Sequence, residues 1–534
     1  MMDLILRNVR FPGQSVVQAI AIRGERIAWI GPDYDATQWQ QPATQIIDGA
    51  GMLVLPGFTD SHFHLHNGAR ALSVLRLEQA ESIADLQTRL ADYAAANPTL
   101  PWIIGRGWRY RLFAPGALPT RHLLDAVVPD RPVLLTAFDG HTAWANTAAL
   151  QIAGILAGAD TGNSFSQVVM GNDGLASGEL REAPAMDFVR RCIPSPTEAD
   201  IRDSVRRALR ELAALGLTGV HNMDGDEAQR TRYRDLAAAG ELTLRIRLPL
   251  SLSPGTDPAR ITDWAIDARQ YRNTLVQTDA VKLFIDGVVE AKTALMLTPY
   301  ADGSGDCGVA NYDIDEFIRL VTHADATGLQ VCVHAIGDGG VQQTLNALAQ
   351  AQQINGQRDA RHRIEHAEIV DPTDLPRFAH LGVIASVQPL HVDFGMDRDN
   401  PWWRLVGEQR LRYGFPWRDL LQAGARMALG SDWPVADPNP LRGIQVACTR
   451  GKLDGSTADS DFPDQRLTIA EALAGYTTWA AYAGHRDHEL GRLAPGYLAD
   501  LVLLDRDITT IPPDQIATTR VMLTMVGGRI VFTR

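Results

Sequence analysis

Apolar residues recur in short runs at both ends of the chain, and these runs predict β-strands. LILRNVRF, VQAIAIRGERIAWIG and TQIIDGAGMLVLPG near the N-terminus have the same texture as LADLVLLD and TRVMLTMVGGRIVFTR near the C-terminus. Isoleucine, valine and leucine favour extended backbone, and Gly24 and Gly527 fit hairpin turns. Neither end alone has enough strands for a stable sheet. We therefore expect residues 1–56 and 490–534 to form one small β-sandwich together.

The middle of the chain, residues 57–489, alternates between helical and strand patterns. Stretches with helical periodicity end at a glycine and are followed at once by a buried strand, as in IRDSVRRALRELAALG–LTGVHNM and IDEFIRLVTHADATG–LQVCVHAIG. Gly216 and Gly328 lie where helix C-caps belong. This alternation predicts parallel βαβ units, and the eight candidate strands fit an α/β fold of the (β/α)₈ TIM barrel type. A doubly wound open sheet is the alternative, but the sequence lacks the glycine-rich phosphate loop expected after an early strand.

One connection in this region is too long for an ordinary barrel crossover. About 150 residues separate His64 from the strand LTGVHNM, several times the usual connection length. The intervening segment has its own strand-like pieces, PWIIGRGW and RPVLLTAFDG, together with helical stretches. We therefore expect residues 68–200 to be an inserted α/β subdomain after the first strand, leaning over the barrel mouth.

Composition and charge narrow the functional classes. A content of 45% hydrophobic and 21% charged residues is that of a globular protein. The net charge of −13 disfavours nucleic acid and anionic membranes as partners. Four widely spaced cysteines suit a reducing compartment, and the sequence contains neither a signal peptide nor a membrane span. These features predict a cytoplasmic enzyme that acts on a small molecule, and they leave a homodimer open.

Histidine and aspartate residues gather where predicted strands end. These residues are His62, His64, His334, His366 and Asp432. In a (β/α)₈ barrel the C-terminal ends of the strands open on one face, where catalytic groups belong. His62 and His64 are two positions apart, so both side chains leave the same face of their strand. A single strand-end histidine is more often structural, whereas four imidazoles and a carboxylate together suit a divalent ion of the Zn²⁺ type.

Lys282 lies within the otherwise apolar strand VKLFIDG. Burying an unpaired ammonium group is costly, so the lysine needs an explanation. One explanation is an ion pair with Asp286 on the same face. The other is carboxylation by CO₂, which converts the amine into an anion whose two oxygens can bridge two cations. The residues alone leave both explanations open.

The segments GFTDSHFHL, VKLFIDG, VHAIGD, RIEHAE and LGSDWPV, in this order, resemble the metal-dependent amidohydrolase superfamily. The most similar branch is amidohydrolase family 3, which includes N-substituted formamide deformylases. The resemblance covers essentially the whole chain and implies a binuclear centre with one or two divalent metals per chain, with zinc as the expected ion.

The resemblance also implies the metal ligands. The ligand set is His62, His64, Lys282, His334, His366 and Asp432. The first two histidines would bind one metal and the other two the second metal, with carboxylated Lys282 as the bridge. Asp432 would bind one metal and act as the catalytic residue that moves protons.

The resemblance, together with such a site, implies hydrolysis of a non-peptide amide C–N bond, as in an N-acyl or N-formyl amide of a small organic molecule. A bound metal lowers the pKa of its water to about 7. Asp432 can accept the proton of that water and pass it to the leaving amine. A deaminase, a cyclic-amide hydrolase and a phosphoester or lactone hydrolase are alternatives for the same site. A non-enzymatic regulatory barrel is disfavoured, because a catalytically inactive protein would not need to retain all six residues of this ligand set.

Three residues are candidates for substrate contacts. Trp108 in GRGWRY and His141 in FDGHTAWAN belong to the inserted segment, and His221 ends the second barrel strand. Turn and capping roles explain the first two equally well. Glu182 in GELREAP is a weaker candidate.

Overall fold

The computed structural model describes residues 2–72, 74–77, 79–113, 119–137, 142–162, 166–271, 273–392, 401–453 and 462–534. These residues fold as α/β structure. The strands are β1 (Leu4–Val9), β2 (Gln18–Arg23), β3 (Arg26–Pro32), β4 (Gln45–Asp48), β5 (Leu53–Pro56), β6 (Phe58–Phe63), β7 (Leu75–Arg76), β8 (Ile103–Trp108), β9 (Val133–Ala137), β10 (Thr142–Ala145), β11 (Gln167–Met170), β12 (Ala176–Arg181), β13 (Leu217–Asn222), β14 (Arg245–Arg247), β15 (Leu250–Ser251), β16 (Val276–Gln277), β17 (Ala280–Phe284), β18 (Gln330–Ala335), β19 (Arg363–His366), β20 (Ile384–Val387), β21 (Arg426–Leu429), β22 (Leu501–Leu504), β23 (Val521–Val526) and β24 (Arg529–Thr533).

Helices connect most of these strands. They are α1 (Leu65–Ala71), α2 (Ile83–Ala96), α3 (Arg121–Asp125), α4 (Thr147–Ile152), α5 (Glu182–Arg190), α6 (Glu198–Ala214), α7 (Glu227–Ala238), α8 (Pro258–Gln270), α9 (Ile314–Ala326), α10 (Asp338–Asn355), α11 (Leu375–Leu381), α12 (Pro401–Val406), α13 (Glu408–Leu411), α14 (Trp417–Gln422), α15 (Pro440–Thr449), α16 (Ile469–Gly475) and α17 (Thr478–Ala483). None of the helices within the described ranges combines the length and the apolar composition that a membrane crossing requires.

The chain divides into two compact units. The first comprises Met1–Gly68 and Arg206–Arg534, and the second comprises Ala69–Val205. The second unit covers most of the segment 68–200 that the sequence assigns to an insertion. The domain boundaries inferred from the sequence stay predictions.

Two parallel sheets in the first unit carry the residues of the predicted centre. Their strand orders are β16-β14-β13-β6 and β15-β17-β18-β19-β20-β21. The α/β class predicted from the helix–strand alternation is confirmed, but the described strands do not close into a single barrel sheet. One break falls between β14 and β15, where Pro249 has no N–H to donate, and the other falls between β21 and β6.

The two ends of the chain meet in antiparallel structure within the first unit. The four-stranded sheets have the orders β3-β2-β1-β4 and β24-β23-β22-β5. β5 pairs with β22, so that Leu53 lies opposite Leu504 and Pro56 opposite Leu501. One buried cluster contains side chains from both sheets, including Leu4, Leu6, Ile20, Val54, Leu501, Leu503 and Met525. Strands from both chain ends therefore share one buried apolar cluster, and the β-sandwich formed from both ends stays a prediction.

The second unit contains a six-stranded sheet of order β11-β12-β10-β9-β8-β7. Ser82 caps the N-terminus of helix α2, because its side chain accepts a hydrogen bond from the backbone N–H of Asp85. Its buried residues Leu86, Leu90 and Ala94 recur every four positions, which gives the helix one apolar face. The unit therefore has its own apolar core.

Candidate metal centre

The strand ends of the first unit bring three predicted ligands together. His62 is on β6, His64 follows β6, and Asp432 follows β21. Asp432 Oδ1 lies 3.5 Å from His62 Nε2 and 3.0 Å from His64 Nε2. Potential ligand atoms of the three residues lie within 4.8 Å of one another. The three side chains therefore form a compact donor group.

Two further predicted ligands lie beside this group. The His366 ring centroid is 4.7 Å from that of His62 and 4.4 Å from that of His334. His334 lies within β18 and His366 ends β19, so neighbouring parallel strands present both rings. The structure thus places all four histidines and Asp432 in one region, while their roles as ligands stay a prediction.

The backbone at two of these residues is unusual. His366 has a φ of 75° and Asp432 a φ of 60°, although neither is a glycine. The left-handed region is unfavourable for residues with a Cβ atom, and such strain concentrates at functional sites. The Asp432 N–H donates to the His62 carbonyl at 2.7 Å, which ties the turn after β21 to β6.

Lys282 is fully buried on β17, and its Nζ has no hydrogen-bond partner among the described residues. Its ammonium lies 4.3 Å from the centroid of the Phe284 ring. Burial lowers the pKa of Lys282. The Asp286 carboxylate does not pair with it; it accepts backbone N–H bonds from Leu295, Ile336 and Gly337 at 2.9, 3.1 and 3.0 Å. The ion pair with Asp286 that the sequence left open is therefore not formed.

Most of the imidazoles in this region are held neutral. Burial, with a contribution from Lys282, lowers the pKa of His62 to about 4 and that of His334 to about 3. His64 differs: although burial opposes protonation, Asp224 and Asp432 raise the pKa of His64 to about 9. Only a neutral imidazole can be a metal ligand, so His62 and His334 are ready to bind at pH 7.

The donor set fits a divalent metal. Nδ1 of His366 and Nζ of Lys282 are buried polar atoms without hydrogen-bond partners in the described part of the chain. Leaving buried polar atoms unpaired is costly, and ligation removes that cost. Imidazole nitrogens with a carboxylate are the ligands that zinc and similar ions prefer.

A cavity of about 210 Å³ opens beside the donor group. It is lined by Val288, Glu290, His334, Ile336, His366, Glu368, His391, Trp402, Phe415, Asp432 and Val435. The lining combines apolar side chains with a few polar ones, which is typical of small-molecule sites. The cavity is small, so it suits a compact chemical group.

Sequence reasoning missed several residues of this region. Potential ligand atoms of His366, Glu368 and His391 lie within 4.8 Å of one another. His391 Nε2 is 3.6 Å from Asp432 Oδ2, and Glu368 Oε2 accepts a hydrogen bond from Trp402 Nε1 at 3.0 Å. A search beyond the last residue of each strand, into PLHV and EHAE, would have found His391 and Glu368.

The predicted substrate contacts do not gather at this cavity in the described residues. His221 is buried and accepts a hydrogen bond from Arg363 Nη1 at 2.7 Å, away from the cavity lining. Trp108 is in the apolar core of the second unit, and its Nε1 donates to the Leu135 carbonyl at 2.9 Å. Glu182 begins α5. His141 lies outside the described residues, and all these roles stay predictions.

Parallel strands with histidines at their C-terminal ends are the arrangement expected of a metal-dependent hydrolase with an α/β fold. A sequence model described as "Amidohydrolase family" (Amidohydro_3) matches residues 45–532. The chain belongs to the amidohydrolase family and is a hydrolase, as its sequence motifs predicted.

Relatives extend over the whole chain. Protein LONG AFTER FAR-RED 3 of Arabidopsis thaliana is 30% identical over 523 residues, covering 96% of this chain and 88% of the relative. N-substituted formamide deformylase of Arthrobacter pascens is 27% identical over an alignment of 554 residues, covering 100% of this chain and 99% of that protein. The crystal structure of an uncharacterized metal-dependent hydrolase from Pyrococcus furiosus superposes with a TM-score of 0.74 at 27% identity, covering 95% of this chain and 100% of that one.

Proposed function

We propose that this protein hydrolyses a non-peptide amide C–N bond, as in an N-formyl or N-acyl amide of a small organic molecule. The observation that carries the proposal is the donor group of His62, His64 and Asp432 beside a small cavity. The relative of Arthrobacter pascens is named as a deformylase of N-substituted formamides, which is the same type of bond.

The proposed centre holds one or two divalent ions, with zinc as the expected metal. His62 and His64 would hold one ion, and His334 and His366 the other. Lys282, carboxylated by CO₂, would lie between them; its unpartnered Nζ and lowered pKa favour the neutral amine that reacts with CO₂. A bound divalent ion supplies a water of lowered pKa and polarises the substrate carbonyl.

Asp432 is the proposed acid–base residue. Burial alone would raise the pKa of Asp432, but the nearby His62 and His64 lower it well below its usual range, so the side chain is a carboxylate at pH 7. Asp432 also lines the cavity, so it faces the space where a substrate would lie. It would accept the proton of the attacking water and deliver it to the leaving nitrogen.

The cavity favours a small acyl group on the substrate. Val288, Ile336 and Val435 give one part of its lining an apolar character. A formyl or short acyl group fits such a space, while the amine portion can extend through the opening.

We also infer that the two parallel sheets are parts of one eight-stranded barrel, in which β14 and β15 are two halves of one interrupted strand and β16 and β17 are two halves of another. Leu248, between β14 and β15, still donates its N–H to the Gln277 carbonyl at 2.8 Å. At the opposite edges, Phe63 of β6 bridges to Trp433, just beyond β21. On one side the chain runs directly from β14 into β15 and from β16 into β17, and on the other side the Phe63–Trp433 bridge brings the two sheet edges together. The cytoplasmic location and the oligomeric state stay predictions.

A substrate panel tests the proposed reaction. The zinc-loaded protein is assayed with N-formyl amines, N-acetyl amines, cyclic amides, lactones and phosphoesters, and kcat/KM is compared. We expect the highest values for the formyl and acyl amides. The double variant His62→Ala/His64→Ala is the control for contaminating hydrolases. A preference for phosphoesters by more than about tenfold, roughly 1.4 kcal/mol in barrier height, would contradict the proposal.

A further inference from the structure

A buried carboxylate contacts the side of the His62 ring that faces away from the donor group. Glu365 Oε2 lies 2.7 Å from His62 Nδ1, and both side chains are at most 1% exposed. The other ring nitrogen, Nε2, faces Asp432. The imidazole therefore lies between Glu365 on one side and the proposed metal ligands on the other.

Arg363 holds this carboxylate in place. Its Nε is 2.8 Å from Glu365 Oε1, and its Nη2 donates to Glu365 Oε2 at 2.9 Å. Both residues are fully buried, so water does not compete with the pair. A carboxylate paired in this way accepts hydrogen bonds and cannot donate one. The hydrogen in the Glu365–His62 contact must therefore be on His62 Nδ1, which leaves the lone pair on Nε2.

The same guanidinium joins strands of both parallel sheets. Nη2 also lies 2.5 Å from the Ser61 carbonyl oxygen on β6 and 2.7 Å from Ser386 Oγ on β20, so its two hydrogens are shared among three acceptors. Nη1 donates to His221 Nδ1 on β13 at 2.7 Å. Arg363 thus fixes the distance between β19, which carries Glu365, and β6, which carries His62.

We propose that Glu365 and Arg363 are positioning residues for the metal centre. Glu365 fixes the tautomer and the orientation of the His62 ring so that Nε2 points at the metal, and Arg363 fixes Glu365. This inference rests on the proposed function in one respect, that His62 binds a metal. A hydrogen bond from the second ring nitrogen to a carboxylate orients an imidazole ligand and makes it more basic.

Zinc affinity distinguishes this role from a purely structural one. Glu365→Gln is expected to weaken zinc binding by about 10- to 100-fold in a chelator competition, because outer-shell partners of ligands have effects of this size. The matched control is Asp500→Asn, which breaks another buried pair, with Asp500 Oδ2 2.6 Å from Arg245 Nε. That variant is expected to lose stability but to keep wild-type affinity. Equal affinity in both variants and the wild type would overturn the proposal.

Double variants in which both charged partners are replaced by apolar residues guard against folding defects. Leaving one buried charge without its partner is strongly destabilising, whereas removing both partners is often tolerated. If Glu365→Gln does not fold, Arg363→Met/Glu365→Leu replaces it and Arg245→Met/Asp500→Leu is its control. We again expect about tenfold weaker zinc binding or more only in the first pair. An equal loss in both pairs would show a general stability effect and overturn the proposal.

The ring tautomer gives a second readout that needs no metal. In the metal-free protein labelled with ¹⁵N-histidine, the signals missing in His62→Ala assign His62. We expect hydrogen on Nδ1 in the wild type and a shift toward Nε2–H when Glu365 is replaced by Leu together with Arg363→Met. Hydrogen on Nε2 in the wild type would overturn the proposal. If His62→Ala keeps full zinc affinity, the proposed metal site is wrong, while the tautomer still reports whether Glu365 positions the ring.

Discussion

Lys282 is the residue whose environment most constrains the chemistry of the centre. Its amine is buried on β17 without a hydrogen-bond partner in the described residues, and Asp286 is occupied by three backbone N–H groups. An ammonium group in such a place would carry an uncompensated charge. Carboxylation would replace the positive ammonium by an anionic carbamate, and a bound metal would give that anion a partner of opposite charge.

Lys282→Ala is therefore expected to lose metal as well as activity. Its zinc affinity should fall by at least the roughly 10- to 100-fold typical of outer-shell changes, because the loss of a ligand is more severe. Acetate, which is small enough for the vacated space, should restore part of both. Lys292→Ala, which removes an ion pair with Asp302, is the control. A Lys282→Ala protein with full metal content and no response to acetate would refute the bridge.

His64 is expected to release a proton when zinc binds. Asp224 and Asp432 raise the pKa of His64 to about 9, so the metal-free residue is protonated at pH 8 and must lose its proton to become a ligand. Zinc affinity should consequently rise with pH up to about 9. Asp224→Asn lowers this pKa, so at pH 8 it should release fewer protons than the wild type, by up to about one per zinc.

Calorimetry measures this difference. Zinc titrations in buffers with different ionisation heats give the number of protons released by each protein. Other groups that titrate on binding contribute to both proteins, so the difference isolates His64. The same proton release from wild type and Asp224→Asn would rule out His64 as the source.

At the scale of elements, strand alternation explains both what the sequence predicts and what it misses. His62 and His64 share a face because side chains alternate along a strand, and the structure places both at Asp432. Glu365 and His366 should then face opposite sides, yet both contact His62. The positive φ of His366 interrupts the alternation, and no sequence period reveals such a backbone angle.

Loops that return a side chain to the centre after a strand has ended are also hard to predict from sequence. His391 follows the end of β20 and returns to Asp432 through a turn in which its N–H donates to the Gln388 carbonyl at 3.1 Å. The apolar segment LRIRLPL is divided into β14 and β15 at Pro249. The position of His391 depends on contacts with distant strands, which local periodicity does not contain, whereas the division at Pro249 follows from the missing proline N–H.

The pairing of β5 with β22 leads to a prediction about truncation. Removing residues 490–534 takes away β22, β23 and β24. β5 then loses its neighbouring strand, and Val54 loses the part of its buried cluster that these strands supply. Exposed strand edges with apolar faces associate, so the truncated chain is expected to aggregate in light scattering. Removing only residues 533 and 534, which are exposed, is the control. A monodisperse truncated protein with an unchanged melting temperature would contradict the pairing.

At the scale of the whole molecule, the sequence predicts the class of fold better than it predicts how the sheets close on one another. Eight strands with intervening helices establish α/β structure, because the hydrophobic period changes from helix to strand at each glycine. Closure of the sheets depends on contacts between residues far apart in the chain, such as Phe63 with Trp433. The four histidines and Asp432 could be chosen as candidates because they lie at or just beyond strand ends, where parallel topology alone brings side chains together. Lys282 lies inside β17, so strand-end position does not single it out.

The central claim is that this amidohydrolase works through a metal held by the strand-end histidines. The most direct test measures zinc content and amide hydrolysis in the purified protein, in the chelator-treated protein, and after zinc is restored. The same measurements are made on His62→Ala/His64→Ala. We expect about one to two metal ions per chain in the purified protein. Removing the metal should abolish activity, and adding zinc should restore it. The double variant should have neither bound metal nor activity. Full hydrolytic activity in the metal-free double variant would contradict the account.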